Sequence, residues 1–180
     1  MKRCSWCNND EVYKKYHDEE WGVESHDDRY LFEMLILEGA QAGLSWITIL
    51  KKRKAYTRAF RDWNYNLVAK FGEADIGMLM RDEGIVRNRL KILSAINNAK
   101  RFLEIRDEFG SFSNYLWGFV GGKVVVESGL TRSDLSDEIS KDLKRRGFSF
   151  VGSTIVYAFL HAVGVVNGHE VGCFLRKTIS

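Results

Sequence analysis

Residues Met78 to Phe102 read MLMRDEGIVRNRLKILSAINNAKRF, a pattern that predicts a helix, a tight glycine-containing turn and a second helix. The first helix is expected from about Glu73 to Asp82, with an interruption at Gly84-Ile85-Val86. Leu90, Leu93, Ile96, Asn97 and Ala99 to Phe102 then give the second helix a partly apolar stripe. Such a hairpin can hold nucleic acid without reading bases, because backbone N–H groups at a helix N-terminus point at a phosphate. Gly84 would supply the turn, and Arg87, Arg89 and Lys91 follow it; the second glycine usual in such hairpins is missing. Lys51 to Lys54 and Lys144 to Arg146 could extend a positive face, which only the fold can decide.

The segments on either side are also helical in period. Tyr30 to Ala42 places Leu31, Met34, Leu35, Glu38 and Ala42 on one face and Glu33 on the other, and Gly43 ends it. Ser45 can cap a helix carrying Trp46, Ile49 and Leu50, with Lys51 to Lys54 across its end. Ser136 to Arg146 has acids in its first turn, bases in its last and Gly147 at its stop. Ser153-Thr154 would cap a buried helix reaching about Val163. Strand character is confined to Lys123–Val126. The reading is all-α.

The chain has 180 residues, 45% hydrophobic and 28% charged, enough for one domain with a core and too apolar for general disorder. It has no proline, where average usage would give roughly nine, so Pro-rich linkers are excluded. The net charge of +3 permits an anionic partner without demanding one. No signal peptide is visible, and Thr154 to Val166 is too short to span a bilayer. Three cysteines do not make a disulfide framework. The expectation is a soluble, cytoplasmic chain of one unit.

Two features point to chemistry. Glu38 stands in the middle of an apolar face, where a carboxylate is desolvated unless something bonds it. It is either answered by a structural base or waits for a ligand with donors or positive charge. Trp6, Tyr13, Tyr16 and Trp21 crowd the N-terminal segment and Trp46 follows the glycine break. Such rings are often core, but an acid and flat rings together suit a flat cationic heterocycle. Second, Cys4, His17, His169 and Cys173 supply two thiolates and two imidazoles from opposite ends of the chain, a set suited to tetrahedral zinc. Cys4-x2-Cys7 is itself a metal knuckle, so Cys7 could replace a histidine, and reduced cysteines beside ordinary histidines would give the same spacing.

RCSW at Arg3–Trp6, YHDEEWG at Tyr16–Gly22, LFEM at Leu31–Met34, LEGAQAGLSWITILKKR at Leu37–Arg53, KRRGFSFVGST at Lys144–Thr154 and HEVGC at His169–Cys173 form a collinear set over nearly the whole chain. This set resembles the bacterial type I 3-methyladenine DNA glycosylases. The resemblance implies a helix-hairpin-helix glycosylase fold in one unit of residues 1–180. A hairpin-containing core would cover about 30–105, and a zinc-binding lobe about 1–25 and 110–180. It selects Cys4, His17, His169 and Cys173 as ligands of a structural zinc and leaves Cys7 outside.

It also implies that Trp46 stacks on a flipped base, that Glu38 and Tyr16 hydrogen-bond its edge, and that Trp6, Tyr13 and Trp21 complete the wall. The Ala42-Gly43-Leu44 turn would approach the DNA near the gap left by the base, while Gly84 and Arg87 are the backbone-binding candidates from the hairpin reading above. The implied activity is excision of 3-methyladenine from double-stranded DNA by a monomer. Many members of the wider superfamily use an aspartate one long helix after the hairpin, near Asp107 here, but this type is not thought to depend on it. The competing readings are a non-enzymatic DNA-binding module with a structural zinc, and a zinc hydrolase with an open coordination position.

Overall fold

The computed structural model describes residues 2–7 and 10–177. Its helices are α1 (Glu11–Glu19), α2 (Asp28–Gln41), α3 (Trp46–Ala59), α4 (Tyr65–Val68), α5 (Glu73–Leu79), α6 (Arg89–Phe109), α7 (Phe112–Gly118), α8 (Asp134–Arg145) and α9 (Ser153–Ala162). Two short strands, β1 (Val125–Val126) and β2 (Val166–Asn167), pair in parallel, with Val125 opposite Val166. The all-α expectation is met, apart from this small sheet.

α2 is the axle. Every residue from Leu31 to Ala40 is buried, because α3, α6, α7 and α9 all pack on it. Its N-terminus is anchored by Asp28, which accepts from Arg106 Nε (2.9 Å) and from the backbone N–H groups of Phe112 and Ser113. A helix covered on all sides has no solvent face. Glu33, expected opposite the apolar face, is therefore buried as well. It accepts from Arg53 Nε at 2.7 Å, and Arg53 also donates to Glu20 at 2.6 Å.

Helices α5 and α6 flank the expected hairpin turn and pack on each other, but their ends are displaced and the connection is longer than a tight turn. α5 stops at Leu79, short of Asp82, and α6 runs from Arg89 with Asn88 as its N-cap, accepting from the Lys91 backbone N–H at 3.1 Å. Leu90 and Leu93, placed on the apolar stripe by sequence, are 68% and 37% exposed. The buried face is instead Ile92, Ala95, Ile96, Ala99, Phe102 and Ile105, the phase that meets α2, α4 and α7. Gly84 is needed for close packing: a Cβ there would stand 2.6 Å from Ala55 Cβ of α3.

Other boundaries shift by local chemistry. α3 continues to Ala59, so Lys51 to Lys54 lie inside it. Ser45 holds the cap position but bonds the Thr48 hydroxyl (2.7 Å) rather than a backbone N–H. α8 begins earlier than expected, behind a Ser133–Ser136 capping box, and stops before Gly147, whose φ is +87°. α9 starts at Ser153 behind Gly152, with no side-chain cap.

After α9 the chain turns at Gly164, φ +75°, where a Cβ would lie 2.3 Å from the Val23 backbone. That approach, with Gly22 N–H donating to His161 O (2.9 Å) and Ser25 N–H to Val163 O (3.1 Å), lays the N-terminal segment along α9. No helix of the described residues is long and apolar enough to cross a membrane.

Candidate active site: a buried carboxylate in an aromatic cavity

Glu38 lies in the last full turn of α2, pointing into a cavity of about 260 Å³. Trp6, Tyr13, Tyr16, Trp21, Gln41, Trp46, Ala158 and His161 complete the lining. Three elements supply the rings named from sequence: the Ser5–Cys7 turn gives Trp6, α1 and its end give Tyr13, Tyr16 and Trp21, and α3 opens on Trp46. Trp6 meets Trp21 and Tyr13 edge-on at 5.0 and 5.3 Å, and Tyr16 leans on Trp46 at 5.6 Å. Rings locked edge to face leave flat surfaces bounding a slot.

Glu38 is 4% exposed and no donor reaches its Oε2. Burial alone pushes its carboxyl up to about 8. At neutral pH the free site therefore holds a proton on this acid, and a cation placed against it would draw the proton off. Burial, followed by the neighbouring Glu38, raises the Tyr16 phenol well above its ordinary value, so it stays a hydrogen-bond donor.

Three lining residues escaped the sequence reading, the small Ala158 and two polar side chains. Gln41 stands three residues after Glu38, one turn along the same helix face. His161 stacks on Trp21 at 5.4 Å and 10° and meets Tyr157 at 4.4 Å. Burial pushes it down to about 4, so the imidazole is neutral and adds no positive charge to the cavity. Its signal was a single imidazole in the otherwise apolar run of α9, the same anomaly that exposed Glu38.

Behind the aromatic wall, Cys4, His17, His169 and Cys173 come together, all buried, with ligand atoms within 4.8 Å of one another. Cys173 Sγ is 3.5 Å from His17 Nε2 and 3.4 Å from His169 Nδ1, which is 3.5 Å from Cys4 Sγ. The far nitrogen of each ring is engaged: His17 Nδ1 lies 2.8 Å from Asp18, itself held by Arg3, and His169 Nε2 lies 3.1 Å from Trp21 O. Orientation by a carboxylate and a carbonyl is the support a metal-binding imidazole uses. Burial pushes the Cys4 thiol up to about 12, so a thiolate there needs a cation beside it. The donor set thus fits a tetrahedral dication with no position left for water. Cys7 stands apart, its Sγ donating to Cys4 O at 3.1 Å.

Residues 6–177 match the protein family described as methyladenine glycosylase. The chain belongs to that family. It is 46% identical to DNA-3-methyladenine glycosylase 1 of Escherichia coli strain K12 over 179 residues, covering 96% of each chain. It is 41% identical to DNA-3-methyladenine glycosylase of Haemophilus influenzae, covering 95% of this chain and 96% of the other. A solved variant of 3-methyladenine DNA glycosylase I in complex with 3-methyladenine superposes with a TM-score of 0.95 at 38% identity, over the full length of both chains.

In this member of the methyladenine glycosylase family, the residues expected at DNA fall on two segments, the turn that leaves α2 and the loop between α5 and α6. Gly43 is exposed with φ +78°, and Leu44 is 41% exposed between Glu38 and Trp46 in sequence. Gly84 is half-buried in the hairpin loop, its N–H turned inward to Asp82 (2.7 Å), so that group does not face a phosphate. Arg87 is exposed, with Glu83 at 3.8 Å. Lys52 Nζ donates to Glu83 O at 2.9 Å, tying α3 to this loop.

The basic run at the end of α8 does not join them. Arg145 pairs with Asp142, and Arg146 pairs with Asp142 and Glu108 at the opposite end of α6. Asp107 is exposed there too, 18 residues and therefore about 27 Å of helix from Arg89, and does not line the cavity.

Proposed function

We propose that this protein excises 3-methyladenine from alkylated double-stranded DNA by hydrolysing its N-glycosidic bond. The observation that carries the reading is the unpartnered Oε2 of Glu38, buried among flat rings. Methylation at N3 makes adenine cationic, which weakens its glycosidic bond. An extruded cationic base entering the cavity would be stacked by Trp46 and met at its edge by Glu38 and Tyr16, with Trp6, Tyr13 and Trp21 as walls. Extrusion costs a few kcal/mol and least for a damaged base. The cation draws Glu38 into its ionised form, an interaction that neutral adenine does not offer. Water then takes the place of the base at C1′, giving free 3-methyladenine and an abasic site. No protein nucleophile and no lysine enters these steps.

Gly43 and Leu44 would fill the duplex where the base has left. Gly84 shapes the helix-hairpin-helix loop, and Arg87 meets the backbone there as a monomer engages the duplex in the cytoplasm. Zinc at Cys4, His17, His169 and Cys173 would supply a structural cross-link between the two ends of the chain, fixing the segment that carries Trp6, Tyr16 and Trp21. A closed four-ligand set argues against a zinc hydrolase.

Incubation with methylated duplex DNA and chromatography of the liberated bases tests the activity. The expected product is 3-methyladenine, with release reduced in Glu38→Gln and Trp46→Ala variants that remain folded. Duplex binding without any liberated base would instead support a non-enzymatic DNA-binding module. Metal analysis should find about one zinc per chain, lost with Cys4→Ser and kept with Cys7→Ser; the opposite pattern would overturn the ligand set.

A further inference from the structure

Lys91 belongs to the basic cluster that follows the hairpin turn, yet its side chain turns inward. Its Nζ donates to Ala40 O at 2.8 Å and to Ala42 O at 2.6 Å. Those carbonyls flank Gln41 at the C-terminal end of α2, where helix carbonyls have no intrahelical partner. A cation is favoured there by the helix dipole. The same residue is fixed at its backbone, where its N–H donates to the Asn88 N-cap of α6 (3.1 Å). One side chain therefore ties the first turn of the hairpin's second helix to the end of the helix that carries Glu38. The Gly43–Leu44 turn leaves from the carbonyl that Lys91 grips, and Leu44 N–H closes that turn onto Gln41 O at 2.6 Å. Lys91 is thus spent on protein carbonyls and is not available as a free phosphate contact.

We propose that Lys91 is a positioning residue: it sets the hairpin and the Leu44 turn in register with the Glu38 cavity, so that a duplex held by the one delivers its flipped base into the other. This inference rests on the excision reading above. It separates two properties of the site. Binding of free 3-methyladenine needs only the cavity, whereas excision from duplex DNA needs the cavity and the hairpin at a fixed spacing. An error of about 1 Å in such a spacing can cost about a hundredfold in rate.

The experiment compares wild type, Lys91→Met and Lys91→Arg, each checked for folding by thermal denaturation. Two readouts are taken: kcat and KM for release from methylated duplex DNA, and the affinity of free 3-methyladenine measured by tryptophan fluorescence. The expected result for Lys91→Met is a fall of about ten- to a hundredfold in kcat, with free-base affinity within about twofold of wild type. Lys91→Arg, which can still donate to both carbonyls, should recover part of the loss. Unchanged kcat in Lys91→Met overturns the proposal. So does a loss confined to KM, which marks a phosphate contact, or an equal loss of free-base affinity in a folded variant, which makes Lys91 part of the cavity. If wild type itself releases no 3-methyladenine, the excision reading fails, and that result is distinct from all of these.

Discussion

The two glutamates of α2 are both buried, on one helix, and have opposite fates. Glu33, 9% exposed, is answered by Arg53, which also reaches Glu20 and lies 5.9 Å over the Tyr30 ring. Glu38, 4% exposed, faces a cavity lined mainly by rings, and its Oε2 has no donor. Burial is therefore not the mark of a functional carboxylate. What marks Glu38 is burial without compensation at the wall of an aromatic cavity, where an acceptor left unmet costs free energy that an entering ligand can recover. The first carboxylate is an anchor binding α1, α2 and α3 together; the second is held ready for a cation from outside.

The largest expected effect tests that contrast directly. Glu38→Gln should lower 3-methyladenine release by about a hundredfold or more, the scale set by removing one preorganised charged contact, while the fold survives. Glu33→Gln should do the reverse. It removes the charge facing Arg53 while the amide oxygen can still accept from Nε, and should cost about 1 kcal/mol of stability, read as a drop in Tm, with release at low temperature little changed. Equal losses of activity in both variants would erase the distinction.

A pH experiment sharpens it. The carboxyl of Glu38 is pushed up to about 8 in the folded chain, against 4.5 for a glutamate in water. Between those values the folded state binds more protons than the unfolded one, so stability falls as pH rises through this window. Glu38→Gln removes that dependence. The variant should match wild type near pH 4 and exceed it by a few kcal/mol at pH 8, since a tenfold difference in proton affinity is worth about 1.4 kcal/mol. Parallel stability curves from denaturant titration would show that Glu38 is not the desolvated acid described here. The smallest effect belongs to a partnered but exposed carboxylate. Glu73, 3.0 Å from Arg89 on the surface, should tolerate Gln at a cost below about 0.5 kcal/mol in the same assay.

Much of this site was legible in the sequence. Glu38 betrayed itself because a carboxylate among Leu31, Leu35 and Ala42 violates the helical pattern. Residue chemistry alone left Cys7 open as an alternative ligand; the resemblance set it aside, and the fold shows it turned to the Cys4 carbonyl. Glu33 was misplaced because a helical wheel assumes one wet side, and α2 has none. Leu90 and Leu93 were misplaced because the apolar stripe of α6 is defined by its neighbours, and its first turn projects beyond them. His161 was passed over although it broke its own apolar run.

The order of residues by itself determined that the chain is helical, that one acid stands where water is excluded, and that both ends carry soft metal-binding side chains. These are local or periodic properties, written in the spacing of 3.6 residues and in the chemistry of single groups. Only the tertiary structure decided which buried acid received an arginine, which bases gather at the hairpin and which are spent on nearby acids, and that Lys91 reaches back to the end of α2. Such pairings join residues far apart in the chain. Their energies depend on distances of a few ångströms and on solvent exclusion, and neither exists until the helices have packed.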